Sequence, residues 1–253
     1  MPNDESPVPV ADLLAGVRAR IADACARSGR PDSAVEVVGV TKTHGPEVVR
    51  EAWEAGIRIM GENKVQEAAW KIPASVSGPE WHLIGHLQRN KARHAVELFS
   101  VIHSVDSVRL IEHLERVAIE SGRSPEILLE VNVSGESSKD GLAPDAVPAA
   151  VEAALGCRSL TLSGLMTMAP FAPDPEAARP VFARLRELRN RLERDFGIGL
   201  PNLSMGMSHD YPVAVEEGAT WVRVGTALFG ARPKWKPATT GADTDDFSGY
   251  FND

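Results

Sequence analysis

Apolar residues recur along the chain in two alternating rhythms. In ADLLAGVRARIADACARSG, Leu13, Leu14, Val17, Ile21 and Cys25 fall three or four apart, which predicts an amphipathic helix, with Gly29 placed to end it. From Val35 onward, short β-branched and apolar runs alternate with longer helical patterns. The runs VEVVGV, IRIMG, WHLIG, VIHSV, EILLEVNV, LTLSGLM, LSMG and VRVG predict eight strands. Between them EVVREAWEAG, RNKARHAVELF, SVRLIEHLERVAIESG, PDAVPAAVEAAL, PEAARPVFARLRELRNRLERDFG and YPVAVEEG carry helical spacing. Such alternation calls for a parallel sheet, and eight repeats in about 200 residues predict an α/β chain folded as a single (β/α)8 TIM-type barrel with an extra N-terminal helix. An open doubly wound sheet competes less well, because no GxGxxG follows the first strand and no composition break divides the chain.

The ends differ in character from the repeats. Residues 1–9 are expected to be a flexible N-terminus and residues 10–233 the barrel. Residues 234–253 are expected to form an acidic, disordered tail, since PATTGADTDDFSGYFND holds four aspartates and no basic residue. Phe247, Tyr250 and Phe251 give that tail a second reading as a peptide dock, weaker than that of a solvated end.

Composition narrows the function classes. A 253-residue chain that is 43% hydrophobic can bury a large core. Its 27 Lys plus Arg against 35 Asp plus Glu give a net charge of −8, which argues against binding a nucleic acid backbone. Cys25 and Cys157 form neither a metal-ligand spacing nor a disulfide framework, so a reducing cytoplasm is the expected home. The opening MPNDESPVPV lacks the charged start and apolar centre of a signal peptide, and no apolar run approaches the ~20 residues of a membrane span. No membrane association is expected.

In such a barrel the active site forms where the strands end, so the residues just after each strand carry the chemistry. They are polar: Lys42, Asn63, His86 and Asn90, HSVDS, Asn132 with SGESSKDG, Met166 with Thr167, MGMSHD, and GTALFG. Ser208, together with Gly225 and Thr226 at the start of a short helical turn with outward-facing amides, reads as a phosphate site, in the position after strands seven and eight where such barrels often bind phosphate. Met207 joins the candidate set as the residue before Ser208. Lys42, in a partly dry pocket, has its ammonium disfavoured and its neutral amine available to attack an aldehyde. A phosphorylated aldehyde satisfies both halves, and pyridoxal phosphate is the common cofactor of that form. Arg223 alternates with Val222 and Val224 toward the mouth, and a guanidinium, which only donates, would keep a pyridine nitrogen unprotonated. That suits transamination poorly.

These blocks resemble a known family. VGVTKTHG, GENKVQE, WHLIGHLQRNKAR, IHSVDS, EVNVSGESSKDGL, LSGLMTMAP and LSMGMSHDYPVAVEEGATWVRVGTALFG are similar, in order, to the pyridoxal phosphate homeostasis proteins, themselves similar to the barrel domain of alanine racemases. The resemblance runs from about residue 10 to 231. It implies Lys42 as the imine-forming (Schiff base) lysine, Ser208, Gly225 and Thr226 as phosphate contacts, Arg223 near the ring nitrogen and Asn63 lining the ring pocket. It further implies a carrier serving vitamin B6 and amino acid homeostasis, rather than an established enzyme. Its partners would be the cofactor and the PLP-dependent apo-enzymes that receive it, and the chain itself a monomer or weak dimer. A carrier needs a shallow site, so the ring's outer face is expected to be open.

Other readings carry less. A slow racemase would need His209 or water in place of the second base that the C-terminal β domain of alanine racemase supplies. A barrel aldolase would use Lys42 on a sugar phosphate directly. His82 and His86 lack the helical context of a metal pair, and no metal is expected. Arg89, Lys91 and Arg93 read as a solvated face, and Lys139 as a loop decoration or a second cofactor contact.

Overall fold

A computed structural model describes residues 8–136 and 140–230 of the chain. The expectations for residues 1–7, for Lys139 and for the tail at 234–253 lie outside the described residues. Eight parallel strands pair in chain order: β1 (Glu36–Val40), β2 (Ile59–Glu62), β3 (Glu80–Leu83), β4 (Val101–Val105), β5 (Glu126–Glu130), β6 (Thr161–Met166), β7 (Asn202–Met207) and β8 (Trp221–Val224). Pairing of β8 with β1 closes them into the barrel that the eight apolar runs predict.

The helices are α1 (Val10–Ser28), α2 (Pro46–Glu54), α3 (Val65–Ala74), α4 (Ala92–Leu98), α5 (Val108–Ser121), α6 (Val147–Leu155), α7 (Arg179–Phe196), α8 (Tyr211–Glu216) and α9 (Thr226–Phe229). α1 buries Leu14, Val17, Ile21, Ala24 and Cys25 and ends at Gly29, in the left-handed region at φ 68°. Burial of each large side chain on this stripe contributes about 1.5–3 kcal/mol, which fastens α1 to the barrel wall against α8. α5 starts on a Ser107 cap that accepts from the Leu110 amide and ends on left-handed Gly122.

Strand side chains alternate between two environments. Val37, Met60, Leu83, Ile102, Leu129, Leu165, Leu203 and Val222 join the helices in the main apolar core. Val38, Val40, Ile59 and Ile84 form one small cluster, Val101, Leu128 and Met166 another, and Trp221 packs against both. The interior they occupy is also where the polar residues described below meet.

Three elements differ from the sequence pattern. β5 stops at Glu130 rather than running through EILLEVNV, because Val131 bridges to Leu142 of the following loop. RNKARHAVELF divides into a 3-10 turn at 89–91 and α4. α3 is not foreseen at all, since Lys71 sits on its buried face and Pro73 in its last turn, both of which disguise a helical stripe.

Candidate functional site

Closure of the sheet joins the first and last strands at one rim. Val38 pairs with Arg223 and Gly39 with Val224, so Lys42 beyond β1 and Gly225 beyond β8 emerge side by side at the C-terminal mouth. A Cβ added at Gly225 would lie 3.3 Å from the Val40 carbonyl oxygen, a measure of how closely the two segments run. Lys42 is half-buried.

Ser208 stands on the loop after β7. Its Oγ accepts from the Gly225 amide at 3.2 Å and the Ala227 amide at 3.3 Å. A hydroxyl has two lone pairs and one hydrogen, so with both pairs facing amides its hydrogen is left to donate. The outward-facing amides expected at this turn are therefore directed in part onto Ser208, and the hydroxyl becomes the donor offered to a ligand. Asp210 shapes the loop: its Oδ1 accepts from the Met207 amide at 2.6 Å, and its own amide donates to the Met207 carbonyl. Gly206, at φ 90°, lets the strand end pass over α8, where a Cβ would come within 2.9 Å of Tyr211 Cα. The Met207 side chain is 38% exposed and Thr226 is exposed, both at the mouth.

Arg223 is buried. It donates from Nη1 to the Ser204 carbonyl at 2.8 Å and to Ser204 Oγ at 2.6 Å, and from Nη2 to the Thr167 carbonyl at 2.9 Å. Burial lowers its pKa to about 10, so it remains a cation at neutral pH. The carboxylate partner that an ordinary buried arginine would have is replaced by carbonyls and a hydroxyl, while Glu130 and Asp210 act on it through their charge. Glu130, at the end of β5, is itself pushed up to about 7, by burial first.

Below Arg223 a polar chain crosses the barrel interior. Ser204 Oγ lies 2.8 Å from His103 Nδ1, and His103 Nε2 lies 2.9 Å from His82 Nδ1. His82 Nε2 faces Glu80 Oε1 at 3.2 Å, close enough for charge pairing though off the line of a good hydrogen bond. Arg223 can only donate, so Ser204 Oγ accepts from it while also meeting His103. Burial holds His103 well below its ordinary pKa. Trp221 stacks on His103 with ring centres 5.1 Å apart and meets His82 edge-on.

The remaining candidates divide. Asn63 follows β2 and is half-buried, its backbone pressed so closely on Gly85 that a Cβ there would lie 2.3 Å from the Asn63 oxygen. His82 and His86 are not brought together: His82 is inside the barrel, whereas His86 is at the rim, 3.4 Å from Asp106 and 3.7 Å from Asp140. Among the described residues, no group of three or more His, Cys, Asp or Glu could hold a metal, and no helix is long and apolar enough to cross a membrane. His209 Nε2 donates to the Ala172 and Pro173 carbonyls of the loop after β6. Arg93 pairs with Glu120 of α5.

An amine at Lys42, a donating hydroxyl at Ser208 and a donor-only guanidinium at Arg223 suit a phosphorylated aldehyde with a ring acceptor. Known proteins that resemble this chain carry pyridoxal phosphate in their names or structures. Residues 14–233 match the family described as alanine racemase, N-terminal domain. The chain is 43% identical over 222 residues to the pyridoxal phosphate homeostasis protein of Aquifex aeolicus, spanning 87% of this chain and 97% of that protein. It is 44% identical over 232 residues to the protein of the same name from Pseudomonas aeruginosa, spanning 91% and 99%. The structure of PipY from Synechococcus elongatus with PLP bound superposes with a TM-score of 0.76 at 40% identity, over 87% of this chain and 100% of that one. An alanine racemase from Clostridium difficile, at 14% identity and a TM-score of 0.69, covering 88% of this chain and 57% of that one, shares the fold alone. The chain belongs to the pyridoxal phosphate homeostasis proteins, within the alanine racemase N-terminal domain family.

Proposed function

We propose that this protein binds pyridoxal 5'-phosphate at the barrel mouth and holds it, as an imine on Lys42, in the service of intracellular vitamin B6 and amino acid homeostasis. The observation that supports the reading is the β1–β8 pairing, which brings the strand ends before Lys42 and Gly225 to one rim, where Ser208 bonds the Gly225 and Ala227 amides. In this reading Ser208, Gly225 and Thr226 receive the phosphate, Met207 and Asn63 flank the ligand, and Arg223 faces the ring nitrogen. The bound PLP and names of the relatives support it. The cofactor supplies an aldehyde and an electron-withdrawing ring; the chain supplies the amine, the anion donors and a buried cation.

The protein is read as a carrier with an open ring face rather than as an enzyme, its recipients being cytoplasmic PLP-dependent apo-enzymes. Racemisation needs proton transfer on both faces of a substrate, and His209, the residue proposed for the second face, has its Nε2 engaged with the loop after β6. The test is a visible absorbance spectrum of the protein and of Lys42→Ala with added PLP, before and after borohydride reduction, with peptide mass analysis. A band fixed by reduction as a pyridoxyl adduct on Lys42, and absent from the variant, is the expected result. The same band in both proteins would sink the site. Steady turnover of an amino acid, lost in Lys42→Ala, would overturn the carrier reading.

A further inference from the structure

Lys42 is flanked by a buried ionic cluster that no role yet described uses. Lys71 of α3 has no exposed side-chain surface, which is rare for a lysine unless its charge is fully engaged. Its ammonium donates to the Thr41 carbonyl at 2.8 Å, to Glu62 Oε1 at 2.7 Å and to Glu67 Oε1 at 2.8 Å. The cluster reaches both neighbours of Lys42. On one side, the Thr41 hydroxyl donates to Glu62 Oε1 at 2.6 Å. On the other, the Thr43 amide donates to Glu67 Oε1.

The residue so held is in a costly conformation. Thr43 has φ 67°, the left-handed region, and is the one non-glycine there among the described residues. A β-branched residue takes up that conformation only where its surroundings impose it. The bond from its amide to Glu67 and the turn bond from the His44 amide to the Thr41 carbonyl hold it there, and Glu67 is itself fixed by Lys71 four residues along the same helix. The cluster's inner pair is out of reach of solvent: Lys71 and Glu62 are fully buried, and Glu62 Oε2 has no hydrogen-bond partner.

We propose that Lys71, Glu62 and Glu67 are positioning residues for Lys42, a buried clamp that sets the backbone at Thr41 and Thr43 and so aims the amine between them at the aldehyde. This rests on the reading of Lys42 given above. The clamp works through geometry: two carboxylates and one ammonium lock the backbone on either side of Lys42, so its side chain leaves the β1 end in one direction. Burial raises the Glu62 pKa to about 7 despite Lys71, so the carboxylates depend on that ammonium for compensation. Removal of Lys71 would strand them, which makes Glu67, with 12% of its side chain exposed, the better place to perturb.

The test uses the full-length protein with PLP, and reads the equilibrium constant for the Lys42 adduct by absorbance and its rate by borohydride trapping and peptide mass. Glu67→Ala removes the acceptor for Thr43, whereas Glu67→Gln keeps an oxygen in its place. Expected for Glu67→Ala is adduct formation weakened about tenfold or more with melting close to wild type, and for Glu67→Gln recovery to within about threefold. Wild-type adduct formation in Glu67→Ala overturns the clamp, as does equal loss in both variants accompanied by equally lowered melting. Should Glu67→Ala not fold, Thr41→Val removes only the hydroxyl bond to Glu62: weaker adduct formation supports the clamp and an unchanged value overturns it. Lys42→Ala, run alongside, separates the two ideas, because an adduct surviving there defeats the site itself rather than the clamp.

Discussion

Replacement of Ser208 by alanine tests the proposed phosphate half of the site. The substitution removes the acceptor of two backbone amides, Gly225 at 3.2 Å and Ala227 at 3.3 Å, and with it the hydroxyl hydrogen they leave for a ligand. The stability cost is small, about 0.5–1 kcal/mol, because the loop lies at the mouth and water can take up the amides. The binding cost is larger. A hydrogen bond to a charged group contributes about 1.5–3 kcal/mol, or between about ten- and 150-fold in affinity. The two freed amides can turn toward the phosphate and offset part of that, so a loss of about tenfold is expected. The assay is a paired absorbance titration with PLP and with pyridoxal, which has the aldehyde and ring but no phosphate. Ser208→Ala should reduce the preference for PLP over pyridoxal about tenfold and leave pyridoxal binding unchanged. An unchanged preference, or equal losses for both ligands, would refute the assignment of Ser208 to the phosphate.

Three further outcomes follow from the same geometry. Gly206→Ala must hold a Cβ at φ 90°, 2.6 Å from Ala214 Cβ and 2.9 Å from Tyr211 Cα, so it should lower stability by at least about 2 kcal/mol in urea unfolding; a loss below about 0.5 kcal/mol would contradict the close approach. Ser204→Ala strips the hydroxyl that links Arg223 to His103, and should cost about 1–3 kcal/mol in urea unfolding and shift the nitrogen NMR signals of His103; unchanged signals and unchanged stability would show that the hydroxyl does not join the two. Glu130 has its pKa raised from 4.5 to about 7, so the neutral carboxyl stabilises the fold below about 4.5 and that contribution, up to about 3 kcal/mol, is lost as pH rises through 7. Wild-type melting should therefore fall relative to Glu130→Gln between pH 4.5 and 7, and a flat difference would show that Glu130 does not titrate there.

The barrel was legible because parallel strands buried on both faces write themselves as short apolar runs, and eight such runs with helices between admit few topologies. The position of Lys42, Asn63, Ser208 and Gly225 at the C-terminal mouth was legible for a related reason: strand ends can be located, and the residue after each one stands out. What hid the rest was the assumption that inward-facing positions are apolar. His103 shares a face with inward Val101, and His82 lies on the inward face of β3, so a period of two puts both inside, but nothing local says that they meet each other or that Ser204, 101 residues further on, joins them. Lys71 misled in the opposite sense. A lysine on a helix is ordinarily evidence of the solvent side, and here it lies on the buried side because two carboxylates and a carbonyl wait for it. The polar residues whose partners the sequence does not announce, Ser204 and Lys71, are thus ones that touch Arg223 and the backbone around Lys42. A barrel core filled only with valine and isoleucine would be simpler to build and could hold neither the buried Arg223 cation nor the strained backbone at Thr43. That places the unreadable part of this sequence where structure gives way to chemistry.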